Sequence, residues 1–462
     1  MGRFCVAAVA VLGGFAGAAS AAPDASPWRL DQAIDTPEWL SFSGSYRVRY
    51  ETLNHPYRAG ATGSDEILVG RLFLNARATV QNFYANFELE DARQQLADSG
   101  TPLGTDSVNT LEPLQVLVGM RFNDVFSRGA RLDVSAGRMT IDLGARRLVA
   151  RNNFRNTTNA YTGVHTLWKG ADGFEARAFY VRPVQRRPSD FASLLDNDRE
   201  LDTESSDVTL WGAFGAAPEL FGGVKGEAFF FGLRSRDHAG IPVADRDINT
   251  PGFRLYVNPA AKSWDFEAEG AYQYGTSRLT NAATDTKDLQ HRAGFFHGKV
   301  GYTLSGKMAP RFELSYEFAS GDDDPNDNEN NRFDTLYGSR RLDFGPTGIF
   351  GALARSNINS PGLRFEAKPL QKLYGMVGYR AVWLASARDQ YTTARLQDRT
   401  GRSGDFVGHQ IEAQVQYNLL PGNLMLEFGS AYLAHGRFLH DAPNAPNEGD
   451  TTYIYASAMS TF

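Results

Sequence analysis

The 462 residues contain a single cysteine, and it is Cys5, inside an apolar N-terminal stretch. Met1, Gly2 and Arg3 give that stretch a positive start, Phe4 to Ala18 are apolar or small, and Ala19-Ser20-Ala21 fits a small-x-small cleavage site. Residues 1–21 therefore read as a secretory signal, and the mature chain is expected to begin near Ala22. A mature chain without cysteine excludes a disulfide framework and a thiolate site. Beyond the signal there is no apolar run of about 18 residues, which excludes a helical membrane span. Gly-x-Ser-x-Gly, His-Glu-x-x-His and P-loop patterns are also missing. Of the eight histidines, His291 and His297 share a strand face but lie about 20 Å apart at strand rise, too far to share a metal. Positive charge is in deficit, with 47 Lys+Arg against 53 Asp+Glu, which argues against a nucleic-acid partner. No cofactor, nucleotide or metal is implied.

What the chain has is a two-residue rhythm. From Leu40 to Phe462 it reads as about eighteen alternating segments whose connections switch between long and very short, the pattern of an outer-membrane β-barrel. Leu40, Phe42, Gly44, Tyr46, Val48 and Tyr50 alternate with Ser41, Ser43, Ser45, Arg47, Arg49 and Glu51, so one face is apolar and the other polar. Trp264, Phe266, Ala268, Tyr272 and Tyr274 oppose Asp265, Glu267, Glu269 and Gln273 in the same way, and Phe312, Leu314, Tyr316 and Phe318 oppose Arg311, Glu313, Ser315 and Glu317. A bilayer has no water to satisfy backbone groups, so a sheet that crosses it must close on itself. The fold expected is all-β: one antiparallel barrel over 40–462, preceded by a periplasmic lead-in over 22–39, without a linker or composition break.

The connections orient the barrel. Short ones are expected at 81–82, 169–173, 258–262, 368–369 and 420–422, all rich in turn formers. Long ones fall at 54–66, 94–111, 143–159, 184–204 and 321–356. With both termini periplasmic, the long set lies outside the cell. Phe462 supplies the terminal aromatic that the outer-membrane assembly machinery reads, although Ser460 stands where an apolar residue is more usual.

If the apolar faces meet lipid, the polar faces line the lumen. Arg47 and Arg49 on the first segment and Arg71 and Arg77 on the second are expected inside. The densest basic block runs over 121–155 and includes Arg138, Arg146, Arg147, Arg151 and Arg155, with no lysine. Guanidinium stays charged, is weakly hydrated and pairs two-point with carboxylates. A lumen lined this way selects anions, and interleaved Glu88, Glu90, Glu267 and Glu269 keep any one site from holding them too firmly. Cross-strand Arg–Glu pairs that merely brace the barrel are the competing reading. The segment 143–159 is more pointed, because an outer loop can fold back into the pore.

The stretch Gly137-Arg138, Ile141-Asp142-Leu143-Gly144-Ala145-Arg146-Arg147-Leu148-Val149, Asn156-Thr157 and Gly163-Val164 resembles the alginate export porin family. Ser320-Gly321-Asp322-Asp323-Asp324 with Phe333-Asp334-Thr335-Leu336-Tyr337 is similar to that family's acidic outer loop. Tyr379-Arg380-Ala381-Val382-Trp383-Leu384-Ala385 and the closing hairpin with Gly408, Glu412, Gly429 and Gly436 also look familial. The resemblance implies an eighteen-stranded barrel with an arginine-rich lumen that passes a polyuronate, and it carries over to Arg138, Arg146 and Arg147.

The reading that follows is a passive outer-membrane porin for an anionic polysaccharide such as alginate. Its partners would be the anionic solute, outer-membrane lipid and lipopolysaccharide, the assembly machinery and a periplasmic export complex. A general anion or organic-acid porin shares every feature except the family marks. A surface adhesin would work through the loop over 321–331, and a barrel enzyme would need a nucleophile and base that no motif supplies. In that loop Asp322, Asp324, Asn326 and Asn328 have the spacing of calcium ligands, but Asp327 and Phe333 stand where an EF-hand needs Gly and Glu. It is expected to be a solvated acidic loop.

Overall fold

The computed structural model describes residues 26–237, 244–446 and 449–462; the expected signal and cleavage site lie outside them. Twenty strands form. Two of these, Thr203–Glu204 and Glu329–Asn330, are two-residue additions borne on loops, and the other eighteen close an antiparallel barrel. Closure joins the first strand, β1 (Leu40–Asn54), to the last, Thr451–Thr461, with Tyr46 opposite Ser460 and Leu53 opposite Tyr453. Gly44 and Phe462 complete the seam by exchanging backbone hydrogen bonds of 2.8 and 2.9 Å. The Phe462 ring fills the space that a Cβ on Gly44 would occupy, so glycine is required there.

Burial runs opposite to that of a water-soluble sheet. Tyr46 is 47% and Trp264 68% exposed on the outer face, while their charged neighbours Arg47 and Asp265 are only 7% and 2% exposed within the lumen. Exposed aromatics gather near the short turns, where the Trp264 and Tyr302 rings lie 5.0 Å apart, as do those of Phe312 and Phe365. Others, Tyr272, Tyr274 and Tyr432, ring the outer end, giving the two girdles of a membrane barrel.

Long and short connections alternate as expected, but long ones at 278–288 and 384–405 were not foreseen and one short turn shifts. Lys368 and Pro369 belong to the strand Ile358–Leu370, beside a bulge, and the turn is Gln371-Lys372. A bulge tolerates the missing proline N–H, so this proline does not mark the turn.

The loops 140–160, 320–357 and 384–405 bend into the lumen and build a plug whose apolar residues Leu148, Val149, Phe344, Phe350, Leu353 and Leu396 are at most 3% exposed and share one apolar cluster with wall residues such as Leu53 and Phe179. Each such side chain contributes about 1.5–3 kcal/mol toward keeping its loop in the barrel. Val149 and Tyr337 form a parallel bridge, Tyr337 N–H donates to Leu148 O at 2.9 Å, and Ser339 N–H donates to Arg146 O at 2.8 Å, so the first two loops fold as one body. The acidic loop is less solvated than its composition suggests. Asp322 and Phe333 are 3% and 1% exposed, and Asp322 accepts from Asn331 N–H at 3.3 Å.

Candidate functional site

The site begins with two strand arginines that share a face. Arg47 on β1 lies directly opposite Arg71 on β2 (Ser64–Val80), and like charges so placed repel. The tip of the 140–160 loop offsets this repulsion with backbone oxygen. Arg47 donates to Asn153 O at 2.7 Å and to Arg155 O at 2.9 Å, and Arg71 donates to the same carbonyls at 3.1 and 2.9 Å. Arg49 donates to Phe154 O between them, pairs with Glu51 at 2.6 Å and stacks 4.1 Å above the Phe154 ring. Carbonyl dipoles stabilise the guanidinium groups without cancelling their charge. The loop thus reaches from the outer mouth to the middle of the barrel wall.

Adjacent residues on this loop meet opposite environments. Arg146 has a φ of 63°, a left-handed turn closed by its N–H to Leu143 O at 2.8 Å. Arg147 then enters the wall side, where it bonds Asp343 twice at 3.0 Å and pairs with Glu267 and Glu269. Burial works against the charge on Asp343, but Arg147 and Arg355 hold its carboxyl well below the usual carboxylate range. Arg146 turns to the lumen and has no ion-pair partner among the described residues.

Two cavities flank this junction. The one on the periplasmic side has a volume of about 790 Å³ and is lined by Arg47, Arg49, Arg71, Arg146, Arg151, Arg341 and Arg364 against only two acids, Glu88 and Glu427. The other, about 360 Å³, mixes Arg146, Arg147, Arg254, Lys299, Arg364 and Arg380 with five carboxylates. Only Arg146, Leu342 and Arg364 line both, so they mark the neck between them.

The other sequence-predicted arginines divide into braces and lining. Arg138 is a brace, held by Glu112 and by Glu204 at 2.8 Å. Arg151 pairs with Glu88 at 2.7 Å while still facing the large cavity. Arg77 lies 4.3 Å over the Tyr84 ring, away from both cavities. Arg155 donates to Asn159 at 2.7 Å, and burial, with Arg186 nearby, lowers its pKa to about 9. Sequence reasoning missed Arg341, Arg364 and Asp343. Alternation marks Arg364, between outward Leu363 and Phe365 on one strand. Arg341 and Asp343 lie on a four-residue helix, Arg341–Phe344, inside a loop, where periodicity carries no signal.

A closed barrel with an apolar exterior and a cation-rich lumen is a porin of the bacterial outer membrane for anionic solutes. The chain belongs to the alginate export family, whose profile matches residues 38–450. Compared by sequence alone with curated proteins, it matches none. Among solved structures it is similar to Acinetobacter baumannii OccAB1, with 12% identity, 92% of this chain and 97% of that chain covered, and a TM-score of 0.58. Pseudomonas aeruginosa OpdQ gives 13% identity, 92% and 97% coverage and a TM-score of 0.57. Pseudomonas aeruginosa OpdK, solved with vanillate, gives 12% identity, 91% and 98% coverage and a TM-score of 0.56. At such identities the likeness is one of fold.

Proposed function

We propose that the chain is a passive channel for an anionic polysaccharide of the uronate type, which moves along Arg47, Arg49, Arg71, Arg146 and Arg151 through the neck at Arg146, Leu342 and Arg364. The observation that carries this reading is the charge on the periplasmic cavity. Arg47, Arg71 and Arg146 line it and none has an ion-pair partner among the described residues. An uncompensated guanidinium in a confined lumen attracts carboxylates and excludes cations. Because these charges are spread along the path, a chain bearing one carboxylate per sugar exchanges one arginine for the next without a deep trap. No catalytic step is proposed. Arg138 and Arg147 act in this reading as braces, Arg77 and Arg155 as flanking charge. The partners proposed with it are lipopolysaccharide around the barrel, the assembly machinery that reads the C-terminal strand, and a periplasmic export complex.

A second reading, a channel for small organic acids, is favoured by the fold shared with OpdK, solved with vanillate. Single-channel recording separates the two. An anion-selective current blocked by an oligouronate, and little affected by a small aromatic carboxylate, is the expected result. Block by the small acid alone selects the second reading, and cation selectivity overturns both.

A further inference from the structure

His297 is too far from His291 to share an ion with it, but it has other company. It lies directly opposite Glu317 on the neighbouring strands Leu289–Thr303 and Arg311–Ala319. The plug brings up Asp343 from the helix Arg341–Phe344. One ligand atom from each of His297, Glu317 and Asp343 falls within 4.8 Å of the others, and all three residues are buried. His297 Nδ1 hydrogen-bonds Glu317 Oε1 and is 4.0 Å from Asp343 Oδ1.

A second feature points to a ligand. Glu317 Oε2 has no hydrogen-bond partner, although the residue is only 1% exposed, and His297 Nε2, also without one, lies 4.0 Å from Glu267 Oε1. Buried polar atoms are rarely left so. All three residues line the 360 Å³ cavity, which gives an ion from the lumen an entry path.

We propose that His297, Glu317 and Asp343 bind a divalent transition-metal ion, Zn²⁺ foremost, which staples the plug to the barrel wall. One imidazole nitrogen and two carboxylate oxygens match the donor preference of Zn²⁺, with water from the cavity completing the shell. Mg²⁺ and Ca²⁺ prefer an all-oxygen shell that the imidazole spoils. Arg147 holds both carboxylate oxygens of Asp343 and Arg355 holds Oδ2, which fixes its orientation as outer-shell partners do. The nearby cations Arg147 and Lys299 are offset by Glu267 and Glu269, with which they pair.

The test is calorimetric titration of Zn²⁺ into the full chain in detergent, with Co²⁺ absorption as a spectroscopic probe. One ion per chain is expected, weakened at least tenfold in His297→Ala and in Glu317→Gln. His409→Ala, on the outer face, should leave it unchanged. Heat-modifiable migration on gels verifies that each variant is folded, and Asp343→Asn tests the plug side of the site independently of the wall. Equal affinity in the wild type and His297→Ala, absence of saturable Zn²⁺ binding, or Mg²⁺ bound equally well overturns the proposal. Anion selectivity recorded with a chelator present does not depend on this site, so failure here and failure of the channel reading are separate results.

Discussion

Arg147 and Asp343 face each other as a two-point pair, Nε to Oδ2 and Nη2 to Oδ1, each at 3.0 Å, although they belong to loops that enter the lumen separately. Their side chains are 4% and 7% exposed. Both ends of this pair are committed further, Arg147 to Glu267 and Glu269 on the wall and Asp343 to Arg355. It is therefore where the plug is joined to itself and to the barrel.

Asp343→Asn should loosen the plug and leave the barrel standing. Removing one partner of a buried ion pair costs about 3–5 kcal/mol, with the lower end expected here because Arg147 retains two glutamates. Hydrogen exchange should accelerate over 140–160 and 337–355, while strand amides and heat-modifiable migration stay as in the wild type.

The same pair sets a pH dependence. The folded pKa of Asp343 is held well below its ordinary value, so its contribution to stability is fully present above about pH 4, the unfolded value, and is lost progressively as pH falls below that. Plug protection by hydrogen exchange should be flat from pH 5 to 7 and fall below about pH 4. In Asp343→Asn that acid-side fall should shrink.

Arg146→Ala should lower anion preference without disturbing the fold, because its side chain has no ion-pair partner among the described residues and lines both cavities. The reversal potential under a salt gradient measures this. An unchanged potential would remove Arg146 from the permeation path.

Arg47→Gln with Arg71→Gln should raise conductance while reducing anion preference. The two side chains together make four hydrogen bonds to Asn153 O and Arg155 O. Hydrogen bonds from charged donors contribute about 1.5–3 kcal/mol each, so their loss frees the loop tip as it removes charge. Current–voltage recordings separate the two effects, since opposite changes in conductance and selectivity are expected only if these arginines both clamp and attract.

Phe154→Ala should also widen the path. The ring lies 4.1 Å from the guanidinium of Arg49, 5.0 Å from that of Arg341 and 5.2 Å from the Tyr455 ring. About 0.5–2 kcal/mol attends each such cation–π contact, and larger, noisier openings are the expected readout.

Much of the wall was legible because lipid imposes a rule on every strand. Alternate residues must be apolar outside, so parity alone placed Arg47, Arg49, Arg71 and Glu267 inside. The same parity reaches Arg364, which lies in the strand Ile358–Leu370 between two outward residues. It could not assign partners. Arg138 and Arg146 look alike in sequence, yet one is locked by Glu112 and Glu204 and the other has no ion pair among the described residues, because a segment 66 residues onward brings Glu204 to the first. Proline misled at 368–369, since a bulge accommodates it within a strand.

By itself the sequence determined the barrel, its orientation and the sign of its lumen, because these follow from two-residue periodicity, the order of long and short connections, and which charges share a face. Only the tertiary structure decided that loops pack inside the lumen, that Arg47 and Arg71 hold backbone carbonyls, and that Asp343 meets His297. These are contacts between segments far apart in the chain. They are set by how the loops pack inside a closed wall, which no local period records.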